Sequence, residues 1–163
     1  RSIDLAEGSA KTKKRMDIMA IDTKFIGKTY PSYRYDVSKE KIKEYAKAIK
    51  NPDPHFLDEE FAKNSKYGAI IAPPTFAVVF GAFLIEPIFI DRELNLNMAM
   101  LVHGEQELEF FEVVKAGDSI TTGAVIRDIQ NKEKLDVISI ELHSTNQHGR
   151  DVCRGLYTFV VRK

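Results

Sequence analysis

Along the C-terminal half of the chain, apolar and polar positions alternate with a period of two. Between Leu135 and Thr145, Ile138, Ile140 and Leu142 alternate with Ser139, Glu141 and His143, the signature of a strand with one face buried. The stretches from about Met98 to Phe111, Ser119 to Ile129 and Asp151 to Val161 have the same character, and Glu105, Glu107 and Glu109 mark a wet face in the first of them. The connections starting at Asn131 and Asn146 are short and polar, as hairpin turns are. These four segments predict an antiparallel meander. Nearer the start the period changes: Ile42, Tyr45, Ala46 and Ile49 recur at i, i+3, i+4 and i+7, a helix capped by Ser38 and ended by Asn51-Pro52. Before it, Phe25 to Val37 carries Tyr30, Tyr33, Tyr35 and Val37, with Pro31 near the start, and suits an edge strand.

The region between helix and meander is a loop from Asn51 to Asp58 stiffened by Pro52 and Pro54, a short helical stretch from about Asp58 to Lys63, and a turn at Lys66-Tyr67-Gly68. From Pro74, a residue type suited to a first helical turn, the chain through Ile85 is apolar on every face, so the helix must be wrapped by something. Gly81 within it costs about 1 kcal/mol relative to alanine, which makes sense if the helix lies close against the sheet backbone. One strand, a helical region and four antiparallel strands describe an α+β domain, a curved antiparallel sheet wrapped around a central apolar helix: a single hot-dog fold. Its exposed edge strand would be covered by a second copy or a homologue, so a dimer is expected.

Composition narrows the function classes. At 163 residues the chain fits one domain. Lys+Arg and Asp+Glu are both 24, which leaves no net charge to draw in nucleic acid or an anionic membrane over long range. The longest apolar stretch, Ala69 to Ile90, is interrupted by Pro73, Pro74, Gly81, Glu86 and Pro87 and reads as a core helix rather than a membrane span. The single cysteine, Cys153, points to a reducing, cytoplasmic setting and reads as a half-buried strand residue. Residues 1–18 are polar and basic around Lys11 to Arg15; they read as a loose or vector-derived tail, with Met19 a plausible start and 19–163 the domain. No histidine has metal-ligand spacing with Cys153 or another histidine, so neither a metal nor another cofactor is expected.

Three ordered segments carry a resemblance: Tyr45-Ala-Lys-Ala-Ile-Lys-Asn-Pro-Asp-Pro-His-Phe-Leu-Asp-Glu-Glu-Phe-Ala, then Tyr67-Gly-Ala-Ile-Ile-Ala-Pro-Pro-Thr-Phe, then Val102-His-Gly-Glu-Gln-Glu-Leu-Glu-Phe-Phe with Lys115-Ala-Gly-Asp118. Together they cover roughly Ile26 to Val161. They resemble the N-terminal-type domain of the MaoC-like (R)-specific enoyl-thioester hydratases and dehydratases, and within that family the (3R)-hydroxyacyl-ACP dehydratase accessory subunits of mycobacteria. The resemblance implies an acyl-CoA or acyl-ACP thioester as ligand and a homodimer, or a heterodimer with a catalytic hot-dog subunit.

In active members of that family a Gly-Asp-x-Asn-Pro-x-His loop supplies an Asp and a His that activate water, and a backbone N–H at the start of the central helix receives the thioester oxygen. The chemistry needs a base for the water, a proton donor for the α-carbon and a donor for the developing enolate. On that pattern Lys50 falls at the Gly, Asn51 at the catalytic Asp, Asp53 at the Asn, Pro54 at the Pro and Phe56 at the catalytic His. Pro73-Pro74 stands where active enzymes have His-Gly, and proline has no N–H to offer. The resemblance therefore points to the accommodating half of a two-domain or heterodimeric dehydratase. Asp53 and His55 remain in the loop, and a self-sufficient hydratase using that pair is the alternative. Ala72, Pro73, Pro74, Thr75, Phe76, Val79, Phe80 and Phe83 are the candidate acyl-binding positions. His103 reads as structural and Asp118 as a turn residue. A thioesterase built on Glu86 and a purely structural acyl-binding module stay open behind these readings.

Overall fold

The computed structural model describes residues 20–163, so the expectations for residues 1–18 and for Met19 lie outside the described part. The elements are β1 (Thr29–Asp36), α1 (Lys39–Ala48), α2 (Pro54–Leu57), α3 (Glu59–Asn64), α4 (Ala77–Phe89), β2 (Leu101–Phe110), β3 (Ser119–Asn131), β4 (Leu135–Thr145) and β5 (Asp151–Arg162). The α+β hot-dog architecture stands as expected: five antiparallel strands curve about α4.

The strand order is β1-β3-β4-β5-β2, which corrects the expected meander in one respect. The β3-β4-β5 hairpins form as expected, but β2 pairs with β5 and not with β3. The 111–118 link is the reason. Instead of turning back on β2, it runs beside the segment leading into α4: Ala72 N–H donates to Val114 O at 2.8 Å, Ala116 N–H to Ile70 O at 2.9 Å, and Ile71 pairs with Lys115. Gly117, at φ +93, then turns the chain into β3, with Asp118 Oδ2 accepting from Lys115 N–H at 2.7 Å. Among the described residues the sheet has two edges, β1 and β2.

Local chemistry sets the helical boundaries. Ser38 Oγ accepts from Lys41 N–H at 3.1 Å and caps α1. Beyond the helix Lys50 takes φ +55 and Asn51 N–H returns to Ala46 O at 2.9 Å. A 3-10 turn at Pro74–Phe76 leads into α4, and that turn is where proline is tolerated.

The sheet wraps only one side of α4. Ala77, Phe80, Gly81, Leu84 and Ile88 are buried against it, in two apolar clusters built with Ile120, Val152 and Cys153 at one end and Ile126, Ile138, Ile140 and Phe159 at the other. Ala82, Phe83 and Glu86 face outward, so the helix that is apolar all round is not covered all round. Phe83 finds partial cover by stacking on Tyr33 of β1 at 4.6 Å between ring centroids. The close approach at Gly81 is made by side chains and not by sheet backbone: a Cβ there would lie 3.1 Å from both Leu142 Cδ1 and the Tyr157 hydroxyl. Among the described residues no helix is long and apolar enough to cross a membrane.

Candidate functional site

A cavity of about 600 Å³ opens between the α2 loop, the start of α4 and the 110–114 segment. That size is ordinary for a small-molecule site. Its floor is apolar: Phe76 and Phe80 from α4 and the turn before it, with Phe56, Val152 and Cys153 opposite. Asp53, His55, Lys66, Tyr67 and Glu112 supply the polar part of the lining. Burial keeps the Cys153 thiol neutral, with its pKa pushed up to about 11, and the nearby Glu109 adds to the effect.

The α2 loop holds its polar side chains in fixed positions. Asn51 Oδ1 accepts from Asp53 N–H at 3.1 Å, so the amide closes its own turn. Asp53 then caps α2, its Oδ1 accepting from His55 N–H at 2.9 Å and lying 2.8 Å from His55 Nδ1. Those two contacts, the backbone one first, hold the Asp53 carboxyl below the usual carboxylate range. The His55 ring sits edge-on to Phe61 at 4.9 Å and Tyr67 at 5.4 Å. With Nδ1 turned to the carboxylate, the other ring nitrogen has no hydrogen-bond partner among the described residues. Phe56 is buried in the apolar cluster with Ala77 and Phe80 and forms part of the cavity floor.

The expected acyl-binding positions divide. Ala72, Pro73, Pro74, Phe76 and Phe80 line the cavity together with Asp53 and His55. Thr75 does not; it is exposed, and its carbonyl accepts from the Tyr45 hydroxyl at 3.0 Å. Val79 packs against the neighbouring apolar cluster, and Phe83 lies on the outer face with Tyr33 and Tyr35. At the helix entrance the Ala72 N–H is spent on Val114 O, and the next two residues are prolines. The first N–H after them belongs to Thr75. Among the described residues no cluster of three or more His, Cys, Asp or Glu is arranged to hold a metal ion.

Sequence reading missed the wall made by Phe110, Phe111, Val113 and Val114. The available signal was the end of alternation at Phe110-Phe111, where the chain leaves the strand and neighbouring side chains cease to point to opposite faces. Phe110, Phe111 and Val113 are partly exposed, so this wall of the cavity reaches the surface where β2 ends. The remaining histidines stand apart from it: His143 pairs with Asp151 at 2.9 Å, His148 sits in the β4-β5 turn, and His103 packs on Phe159 at 4.7 Å.

Comparison with known proteins agrees with the architecture. The family described as FAS1-like, dehydratase domain region matches residues 24–154. A UPF0336 protein of Saccharopolyspora erythraea is 37% identical over 88% of this chain and 93% of its own length. Among solved structures, the C-terminally truncated HadBC (3R-hydroxyacyl-ACP dehydratase) complex of Mycobacterium tuberculosis superposes with a TM-score of 0.73 at 26% identity, over 83% of this chain and 96% of that one. An R-hydratase of Pseudomonas aeruginosa shares the fold at a TM-score of 0.65 and 19% identity, over 83% of this chain and 81% of that one.

Proposed function

The chain belongs to the FAS1-like dehydratase region family, and from that premise we propose that it is the acyl-thioester-binding half of a (3R)-hydroxyacyl-CoA or hydroxyacyl-ACP dehydratase, with the water chemistry supplied by a hot-dog partner. One observation carries this reading: the apolar cavity persists, while the groups that would run the reaction at its mouth are spent or absent. Asn51 is closed on its own turn, Phe56 has no proton to exchange, and the entrance to α4 offers prolines in place of N–H donors.

Hydration of an enoyl thioester forms a C–O bond at the β-carbon and a C–H bond at the α-carbon while one O–H bond of water and the π bond between those carbons break. The transition state carries enolate charge on the thioester oxygen. Losing one donor to such an oxygen costs about 10²–10³ in rate. An acyl chain needs none of this in order to bind: burial is worth about 0.8 kcal/mol per methylene, and Phe76, Phe80 and Val152 supply the surface. Thioester and carrier then stay at the mouth, beside Lys66 and Tyr67, where the exposed β2 edge leaves room for the partner subunit.

A second reading has its own observation. The Asp53–His55 contact of 2.8 Å lies on the cavity wall, and a carboxylate that orients a histidine while leaving one ring nitrogen free is the arrangement of a general base. In that reading the chain hydrates enoyl thioesters by itself.

Calorimetric titration of the purified chain with saturated acyl-CoA against free CoA tests the binding reading. Affinity that grows with chain length and falls on Phe80→Ala supports it. Equal affinity for acyl-CoA and CoA would remove it.

A further inference from the structure

Behind the acyl cavity lies a second, much smaller pocket of about 10 Å³, lined by Gly81, Leu108, Leu142, Ser144, Gly155 and Tyr157. It shares Ala77, Phe80 and Cys153 with the main cavity, so the two are separated only by side chains. That volume is about one water-sized sphere: room for a single oxygen atom and too little for further hydrocarbon.

Tyr157 makes this space unusual. The residue is 6% exposed, but its hydroxyl is not sealed off: among the described residues Asp136 Oδ1 is the one fully buried side-chain oxygen or nitrogen without a hydrogen-bond partner. The hydroxyl therefore faces the small pocket, whose occupant is left to partner it, and a phenylalanine would serve if packing were all that mattered. Two glycines make room for it. A Cβ at Gly155 would come 2.7 Å from Tyr157 Cε2, and one at Gly81 would come 3.1 Å from the hydroxyl itself. The other polar groups on the wall carry no charge. Ser144 Oγ is 2.8 Å from Thr122 Oγ1, so each hydroxyl already has the other as its partner. Burial, helped by Cys153, pushes the Tyr157 phenol up to about 12, and Cys153 stays a thiol.

We propose that this pocket is an oxygen-recognition subsite at the inner end of the acyl cavity, where the Tyr157 hydroxyl hydrogen-bonds a neutral hydroxyl or keto oxygen carried on the ligand's acyl chain. It rests on the acyl-thioester reading above and adds a substrate class to it: chains oxygenated away from the thioester. Entry requires the Phe80 ring or the Cys153 thiol to turn aside. A carboxylate is refused, because no cation faces the pocket from α4, β4 or β5; the groups there are Tyr157, Ser144 and Cys153.

The test is calorimetric titration of the full chain with matched plain, ω-hydroxy and ω-carboxy acyl-CoA thioesters of graded length. At the length that reaches the pocket, the ω-hydroxy thioester binds about tenfold or more tightly than the plain one, and the ω-carboxy thioester more weakly. Tyr157→Phe abolishes the hydroxyl preference without weakening the plain chain. Gly81→Ala, which fills the pocket and keeps the phenol, abolishes it too. Equal affinity of plain and ω-hydroxy thioesters at every length would mean that the pocket holds only water, and would overturn the proposal while leaving the acyl-binding reading intact. A preference that persists in Tyr157→Phe overturns it as well. If no plain acyl-CoA binds, the acyl-thioester reading fails and the subsite fails with it.

Discussion

Two strand glycines with opposite surroundings give the sharpest check of how the inner face is packed. Gly155 lies within β5, paired to Leu142 on β4 and Leu108 on β2, so its backbone is held from both sides. A Cβ there would sit 2.7 Å from Tyr157 Cε2 and 3.0 Å from Leu108 Cδ2, so the tyrosine ring or the leucine must shift to admit it. Overpacking of this kind costs about 1–3 kcal/mol. At this chain length each kcal/mol lowers the midpoint of thermal unfolding by about 2–4 °C. Gly123 in β3 is the control: nothing lies within 4 Å of its would-be Cβ and its φ is not positive. Alanine there is neutral, or stabilising by up to about 1 kcal/mol through the unfolded chain. The chain has no tryptophan, so urea unfolding followed by far-UV circular dichroism is the assay. The expected result is a lower midpoint with unchanged slope for Gly155→Ala and none or a small rise for Gly123→Ala. A Gly155→Ala protein as stable as the parent would refute the packing described around Tyr157.

Other perturbations have equally definite outcomes. Ser38→Ala removes the cap on α1 and lowers stability by about 1 kcal/mol, read from the same urea midpoints. The Lys43 and Lys39 ammonium groups hold the Glu59 carboxyl at about 2. A depressed folded pKa means that its contribution is present above the unfolded carboxylate range and lost as pH falls toward 2, so carbon-detected NMR should show Glu59 titrating last among the glutamates, and less separated in high salt. Cys153, buried and with its thiol pushed up to about 11, should react with a thiol reagent far more slowly in the folded than in the urea-unfolded protein at neutral pH. Equal rates would place that thiol outside the cavity wall.

How much of this was legible in the sequence follows from the range of the interactions concerned. Alternation at Ile138, Ile140 and Leu142 identified β4 because the period of two is local, and Ser38 marked the start of α1 because a cap is local too. The pairing of β2 with β5 was not legible: it depends on the 111–118 link lying along residues 70–72, a contact between segments some forty residues apart. Nor could the sequence tell which face of an all-apolar helix meets the sheet. Phe76 and Phe80 turned out to line the cavity while Phe83 faces outward, and hydrophobicity is the same for all three. Asp53 and His55 stand out in the sequence as neighbours in a proline-stiffened loop, but their 2.8 Å contact comes from α2, a single turn whose cap Asp53 provides.

The central claim, a subunit that binds acyl thioesters but leaves the water chemistry to a partner, is tested most directly by following enoyl absorbance when the purified chain alone is given a short trans-2-enoyl-CoA. The account predicts saturable binding with no loss of absorbance above background, unchanged in His55→Ala. Turnover by the isolated chain that disappears in His55→Ala would contradict it and assign the reaction to the Asp53–His55 pair.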